Sequence, residues 1–334
     1  MAGKGFSVVI PTYTGKDQIA DCLKHVIEQS WRPKEHEVIV VVDGSEAVLQ
    51  EVNGMEGAFK NRKVSFKVIF NEHNMGHFQA RLIGAEATKY DQILFVDDRV
   101  KLDKDFFAYL EKTGEEAIMP NVIELETTNV ISMTLNMLRS RIYGRKWGAK
   151  HTDYYLDAEN FENSPKGTTS LYIKKQVFLK ACDEVKKGVK GAGFSHVSDD
   201  TKVLERVVDS GVRILRPGNL SVYYSPRSGF KEAWLHLFRR GPKFVDYYHK
   251  PGTRFFPLLV LVYLVVALVL TLAIFYPVGL LYLFLASLAG VILSAAVIAT
   301  DPRRFLVALI GLPLTVATFS AGILTGTLLK MIGR

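Results

Sequence analysis

The segment from Phe255 to Thr300 contains no Asp, Glu, Lys or Arg, and this feature restricts the fold more than any other. An α-helix crosses the hydrocarbon core of a bilayer, about 30 Å thick, with about 20 apolar residues. The segment is therefore long enough for a hairpin of two crossings, which we expect to break at Tyr276 and Pro277. A second uncharged run, Phe305 to Leu329, is also long enough to cross. We predict transmembrane helices at 255–276, 278–300 and 305–329.

The early apolar run Phe6 to Ile10 is far shorter than the core of a signal peptide and is followed by Pro11, so we expect residues 1–229 to form a cytosolic domain. Basic residues before the first span, and Arg303 and Arg304 after the second, then fall on the cytosolic side, as the positive-inside rule expects. Those before the first span are Arg239, Arg240, Lys243, Lys250 and Arg254. With three crossings, Lys330 would lie on the outer side, which the positive-inside rule disfavours. The last segment could therefore be re-entrant instead.

The formal net charge of +8 lies outside the uncharged runs, and a basic surface suits anionic lipid headgroups. The chain has no zinc-ligand spacing and no aromatic RNA-binding signature, so we expect no nucleic-acid partner. Cys22 and Cys182 lie far apart, which favours a reducing compartment over a disulfide framework. We expect an integral protein of the plasma membrane.

Apolar strands alternate with helices in the first hundred residues. Continuous apolar strands separated by helices are typical of a parallel sheet that is covered on both faces. The predicted strands are Phe6 to Ile10, Glu37 to Val42, Val64 to Phe70 and Gln92 to Val96, and the predicted helices are Asp17 to Gln29 and Phe78 to Lys89. The fold class is therefore α/β with a mostly parallel, Rossmann-like sheet, followed by a helical transmembrane segment.

Polar residues follow three of these strands. They are Pro11-Thr12-Tyr13, Asp43-Gly44-Ser45 and Asp97-Asp98-Arg99. An Asp after a strand is often only a helix cap or a turn residue. Ligands, however, bind outside the carboxyl ends of the strands in open α/β sheets, and three polar strand ends together indicate a binding site there.

Five motifs in this order resemble the inverting family 2 glycosyltransferases, which have the GT-A fold. They are Phe6 to Tyr13, Val40 to Ser45, the set Asn71, Asn74, Gly76 and Arg81, Gln92 to Asp98, and Ser198 to Thr201. The resemblance implies a nucleotide-sugar donor carrying UDP, GDP or dTDP. It implies donor contacts from Pro11, Thr12, Tyr13, Asp43, Asn74, Gly76, Arg81, Asp97, Asp98 and Arg99.

The diphosphate leaving group of such a donor carries negative charge, which a divalent cation or arginines must offset. Carboxylates suit Mg²⁺ or Mn²⁺, and Asp97 and Asp98 are the candidate ligands. The family commonly places a metal-binding Asp where this chain has Arg99. Either Arg99 supplies positive charge itself, or the cation is held by one carboxylate, the diphosphate and waters.

Ser198-Asp199-Asp200-Thr201 resembles the acidic catalytic motif of the family. The resemblance implies that Asp200 takes the proton of the attacking hydroxyl and that Asp199 orients Asp200 or the acceptor. The same residues also suit the start of a helix over Thr201 to Ser210. Both roles are compatible.

Acceptor contacts are expected from Gly167, Thr168 and Thr169, although an ordinary turn before a strand explains these residues equally well. Residues 230–254 form an amphipathic segment, which suits either the membrane interface or docking on the catalytic domain. Acceptor contacts are also expected from Arg239 and Arg240 in this segment. The family's processive Gln-x-x-Arg-Trp motif is absent.

We therefore predict transfer of a single sugar, with inversion, to a polyprenyl-linked acceptor at the bilayer. One alternative is a polyprenyl-phosphate sugar synthase, whose acceptor phosphate needs little help from a base. Another is a membrane scaffold that keeps the fold and has lost the chemistry.

Overall fold

A computed structural model describes residues 5–13, 15–31, 36–146, 152–188 and 197–332. The chain divides into two compact units. The first consists of Met1–Leu125, Arg145–Ser195 and Asp199–Pro226, and the second of Glu126–Gly144, His196–Ser198 and Arg227–Arg334. The division is not sequential, because two internal segments belong with the C-terminal helices.

The strands are β1 Phe6–Thr12, β2 His36–Asp43, β3 Ser65–Asn71, β4 Gln92–Val96, β5 Val100–Leu102, β6 Ala117–Ile118, β7 Asn121–Glu124, β8 Tyr154–Leu156, β9 Ser170–Lys174, β10 Ile214–Arg216 and β11 Ser221–Tyr224. The helices are α1 Lys16–Ile27, α2 Glu46–Gly54, α3 Glu56–Asn61, α4 His77–Glu86, α5 Phe106–Lys112, α6 Val130–Tyr143, α7 Lys175–Gly188, α8 Asp199–Asp209, α9 Phe230–Tyr248, α10 Phe256–Phe275, α11 Pro277–Ile298 and α12 Pro302–Met331. The helix predicted to start at Thr201 starts two residues earlier, so both acidic residues of the motif lie in its first turn.

The first unit is built on an eight-stranded sheet with the order β3-β2-β1-β4-β9-β6-β10-β8. Strands β3, β2, β1 and β4 are parallel, as predicted, and the helices between them provide the crossovers. Strand β9 is antiparallel to both β4 and β6. A three-stranded sheet, β5-β11-β7, completes the unit.

Apolar side chains fix the helices to this sheet. In α1, the buried residues Ile19, Cys22, Leu23 and Val26 recur at helical spacing, as the sequence predicts. Helix α4 lies unusually close to β1, because a Cβ added at Gly84 would meet Val9 Cγ1 at 2.4 Å. The close approach brings the first turns of α4 to the carboxyl edge of the sheet.

The second unit contains three helices, α10, α11 and α12, that are long and apolar enough to cross a membrane. The break predicted between the first two is confirmed, since Tyr276 caps α11 and Pro277 is its first residue. Asp301 caps α12 by accepting a hydrogen bond from the Arg304 amide at 2.9 Å.

Helices α6 and α9 also belong to the second unit and pack against α12. Leu237 of α9 is buried there with Ile131 of α6, whereas Phe230 and Trp234 remain exposed. The amphipathic segment predicted at 230–254 therefore uses part of its apolar face to pack on other helices of its own unit.

Candidate active site

Asp43, the last residue of β2, is buried and organises the loop that follows β3. Its carboxylate accepts hydrogen bonds from Asn71 Nδ2 at 2.8 Å, the Met75 amide at 3.0 Å and the Gly76 amide at 2.8 Å. The Gly76 amide also donates to Asn74 Oδ1 at 3.0 Å. These bonds fix the turn into α4, so Asp43 has a structural role besides the donor contact that the resemblance implies.

Gly44 lies directly beside this loop in a left-handed conformation, with φ at +83°. A Cβ built there would stand 2.6 Å from the Asn74 amide nitrogen. We expect Gly44→Ala to lower the free energy of unfolding by about 1–3 kcal/mol, because it adds both backbone strain and a clash. Denaturant unfolding in detergent, followed by fluorescence, measures the effect.

Gly57 in α3 provides the matched control, since a Cβ there would meet nothing within 4 Å. Gly57→Ala should leave stability unchanged or raise it slightly, because alanine favours a helix. Equal stability of the two variants would contradict the strain assigned to Gly44.

Arg81 of α4 joins two of the three acidic motifs. It is buried, and its guanidinium donates to Asp200 Oδ1 at 2.6 Å and to Asp97 Oδ1 at 2.7 Å. Its third nitrogen, Nε, is buried and has no hydrogen-bond partner among the described residues. One cation thus holds two carboxylates that are far apart in the sequence.

The electrostatics of this cluster follow from burial and pairing. Burial lowers the pKa of Arg81, but Asp200 and Asp97 oppose that effect and the pKa lies above its ordinary value. The pKa of Asp97 is raised by burial, and its pairing with Arg81 offsets the rise only in part. Arg81 is therefore a permanent positive charge inside the site.

Asp200 receives a second hydrogen bond, from Thr168 Oγ1 at 2.5 Å. The loop that carries Thr168 is attached to the end of β4, because the Asp97 amide donates to the Thr169 carbonyl at 2.9 Å. A small pocket is formed by Phe78, Arg81, Thr168, Phe178, Asp199, Asp200 and Val203. Three segments predicted separately for donor, acceptor and catalysis thus meet at one place.

Asp98 and Arg99 face other neighbours. Asp98 Oδ2 accepts a hydrogen bond from Thr12 Oγ1 at 2.9 Å, which connects the ends of β4 and β1. Arg99 lines a separate pocket whose walls also include Asp21 and Lys101. The structure therefore does not place Arg99 with Arg81 in the pocket that holds Asp200.

The remaining predicted residues are dispersed. Pro11 is buried in β1, and Tyr13 is exposed just beyond the strand. Gly167 precedes Thr168 in the loop described above. Arg239 and Arg240 lie on the exposed part of α9 in the second unit, so their predicted acceptor contact stays a prediction.

Sequence reasoning missed the apolar walls of the pocket, Phe78, Phe178 and Val203. Their spacing is that of ordinary buried helix residues, and nothing in the sequence distinguishes them. Cys22, by contrast, is a buried core residue whose thiol donates a hydrogen bond to the Asp97 carbonyl oxygen at 3.7 Å. Burial, and then the charges of Asp98 and Asp97, raise the pKa of this thiol well above its usual value, so it is a neutral packing group.

A divalent cation at this site would have only a small number of protein ligands. Among the described residues, no group of three or more His, Cys, Asp or Glu side chains could hold a metal ion. Asp97 faces Arg81, whereas the only partner of the Asp98 carboxylate in the described part of the chain is Thr12. Magnesium sites often use one or two carboxylates with substrate phosphates and waters, and Asp98 fits such a site.

Comparison with solved structures identifies the fold. The chain resembles the mannosyltransferase PcManGT from Pyrobaculum calidifontis in complex with GDP-Man and Mn²⁺, with a TM-score of 0.55, 15% identity, and coverage of 100% of this chain and 88% of that one. It also resembles Staphylococcus aureus TarS 1-349 in complex with UDP-GlcNAc, with a TM-score of 0.50, 14% identity, and coverage of 99% and 92%. The fold is thus GT-A.

The sequence itself identifies the domain. Residues 7–130 match the family described as Glycosyl transferase family 2. No curated protein matches the chain. The chain therefore carries a glycosyl transferase family 2 domain, and it is a transferase enzyme.

Proposed function

We propose that this enzyme moves one sugar, with inversion, from a nucleotide-sugar donor to a lipid-linked acceptor while anchored in a membrane. The observation that carries the proposal is the bridge from Arg81 to Asp97 and Asp200 at the carboxyl edge of the sheet. It places a fixed cation and an accessible carboxylate together. Inverting transfer requires both a positive charge near the leaving group and a proton acceptor.

The chemistry at the carboxyl edge of the sheet supports a nucleotide-sugar donor. The Arg81 Nε is buried without a partner among the described residues, which suits an anionic oxygen that a bound diphosphate would bring. The two structural relatives are complexes with GDP-Man and with UDP-GlcNAc. UDP, GDP and dTDP sugars therefore remain the candidate donors.

The proposed step is a direct displacement. The acceptor oxygen attacks the anomeric carbon as the bond from that carbon to the diphosphate oxygen breaks, and the nucleoside diphosphate leaves. The hydroxyl proton passes to an Asp200 carboxylate oxygen. Arg81 and Thr168 both donate hydrogen bonds to Asp200 Oδ1, and these two bonds fix the orientation of the carboxylate.

A divalent cation would be held by Asp98 together with the donor phosphates. Bound there, Mg²⁺ or Mn²⁺ would offset the charge of the diphosphate. Thr12 orients Asp98 for that role through its hydrogen bond.

The acceptor class is supported by the apolar helices of the second unit. Helices α10 and α11 are almost entirely exposed, and they have mean hydropathies of 3.1 and 2.4. Such surfaces suit lipid, so the enzyme is proposed to work at a bilayer on a lipid-linked acceptor. We propose that the domain with the active site lies in the cytosol and that the membrane is the plasma membrane.

A donor screen tests the proposal. Purified protein in lipid vesicles containing polyprenyl phosphate or polyprenyl-diphosphate-linked saccharides is offered UDP, GDP and dTDP sugars, and released nucleoside diphosphate is measured. We expect release with one nucleotide class that depends on the lipid acceptor. Release that is equal with a water-soluble sugar acceptor would contradict the lipid-linked assignment.

Removal of divalent cations should lower this turnover by about tenfold or more, because the diphosphate charge is then less well offset. Chelation with EDTA and restoration with Mn²⁺ measure the effect. In Asp98→Asn, the turnover rate with EDTA should be close to the rate with Mn²⁺. Asp91→Asn, at an exposed Asp before β4, is the control and should keep the difference between the two rates. Full activity in excess EDTA would contradict the role assigned to Asp98.

A further inference from the structure

Helices α10 and α11 form a hairpin, and α12 contacts both of its open ends, near the start of α10 and near the end of α11. Near its start, Ala308 and Leu312 are buried with Ala295, close to the end of α11. Near its other end, Thr327 shares a hydrogen bond of 2.8 Å with the hydroxyl of Tyr263, in the third turn of α10. The first turn of α10 and the last turn of α11 lie on the same side of any membrane that the hairpin crosses.

The charged end of α12 lies in the same region. The His249 ring, just before α10, has its centroid 6.0 Å from that of Tyr263. The pKa of His249 is lowered by burial and, to a smaller extent, by the charge of Lys330. The C-terminal end of α12 is therefore beside the chain that enters α10.

Within the part of the chain that the structure describes, no third helix packs along the rest of the hairpin. Seven consecutive residues of α11, Phe284 to Gly290, are all exposed. At the turn, Phe275 is 80% exposed. In α10 and α11 only 6% of the apolar window is buried, against 39% in α12. A third helix crossing beside them would cover one face of the hairpin along its length.

Distances along the helices distinguish an α12 that crosses the membrane beside the hairpin from an α12 that lies along the membrane surface. Ala308 and Thr327 are about 28 Å apart along α12, close to the thickness of the hydrocarbon core. Their partners, Ala295 and Tyr263, lie only about 5 Å and about 10 Å along α11 and α10 from the ends on one side. Two contacts so far apart on α12 can both lie near one membrane surface only if α12 runs along that surface.

The two faces of α12 differ as such an orientation requires. Gly311, Gly322 and Gly326 lie on one face, where they meet α6 and α9 at close range. The opposite face has an exposed apolar stripe made of Leu306, Ile310, Val316 and Leu328. Basic residues stand at both ends, Arg303 and Arg304 at one and Lys330 at the other, where they can reach anionic headgroups.

We propose that α12 does not cross the membrane, and that it lies in the interface of the leaflet where α10 begins, with the apolar stripe in the lipid and α6 and α9 on its other face. The hairpin is then the membrane-crossing part of the second unit. An even number of crossings leaves both ends of the second unit on one side, which accounts for Lys330 under the positive-inside rule.

Single cysteines test this arrangement in the full-length protein. Thr300→Cys marks the turn before α12, Tyr276→Cys marks the tip of the hairpin, and Met331→Cys marks the end of α12; all three positions are exposed. The natural cysteines, Cys22 and Cys182, are buried, so the unmodified protein is the background control. Labelling uses a membrane-impermeant maleimide on sealed vesicles, before and after they are opened with detergent.

We expect the cysteines at 300 and 331 to be labelled from the same side and the cysteine at 276 from the opposite side. Labelling of 331 together with 276 would overturn the proposal. A reporter fused after Arg334 gives a second reading, because it should share its compartment with a reporter fused before Met1. Reporters in opposite compartments would overturn the proposal even if the 331 cysteine fails to react.

Lysine substitutions at the helix midpoints separate the two arrangements by a different property. Val316 of α12 and Leu288 of α11 are both exposed. Leu288→Lys should reduce the amount of membrane-inserted protein severalfold, because it places a charge in the middle of the bilayer. Val316→Lys should reduce it much less, since an interfacial side chain can extend to the headgroups. Equal losses would contradict the interfacial position of α12.

Discussion

Asp200→Asn is expected to lower kcat by about 10²–10⁴, because general base catalysis contributes a factor of that size and an amide cannot accept the proton. The substitution preserves the shape of the side chain and keeps one oxygen for the bonds from Arg81 and Thr168. Donor binding should therefore change little. Turnover measured as released nucleoside diphosphate, together with donor affinity from calorimetry, separates the two quantities.

Asp209→Asn, at the exposed end of the same helix, is the matched control and should leave kcat unchanged. Near-normal turnover of Asp200→Asn would contradict its role as the base. That outcome would favour the polyprenyl-phosphate sugar synthase, whose acceptor is already ionised. A large loss of donor affinity without a change in kcat would instead assign Asp200 to binding.

Arg81→Gln is expected to abolish measurable turnover and to lower the free energy of unfolding by roughly 2–4 kcal/mol. Removing one partner of a buried pair leaves an uncompensated charge, at a typical cost of about 3–5 kcal/mol, and the partial exposure of Asp200 reduces that cost. Asp97 is the more buried of the two carboxylates and contributes most of it. Denaturant unfolding in detergent measures the change.

The exposed Arg62 offers a control, since Arg62→Gln should change neither property. A second variant, Arg81→Gln combined with Asp97→Asn, should recover part of the stability because no ionised Asp97 is left unpaired. It should not recover activity, because the cation near the leaving group is still missing. Recovery of both would mean that Arg81 only compensates Asp97.

Local patterns were sufficient to predict much of the fold. Strand β4 was placed at the observed residues because Ile93 to Val96 is a continuous apolar run. The break at Tyr276 and Pro277 was predicted because the uncharged run is long enough for two crossings, and Pro277 is indeed the first residue of α11. In each case the deciding residues are neighbours in the sequence.

The rest depends on contacts between distant residues. Arg81 was predicted to contact the diphosphate, but its pairing with Asp200 joins residues 119 positions apart. No local periodicity encodes such a bond. Likewise, α6 groups with the C-terminal helices because Gly311 leaves room for Thr134, and that fit exists only after both helices have formed.

The reversed direction of β9 has a consequence for how this enzyme could change its acceptor. The parallel strands β1, β2, β3 and β4 place the residues that follow them at the carboxyl edge of the sheet, whereas β9 places there the residues that precede it, among them Thr168. Insertions or deletions in the loop just before Gly167 can therefore change the surroundings of Asp200 without shifting the register of β9. This loop is where the chain could vary to accept a different acceptor.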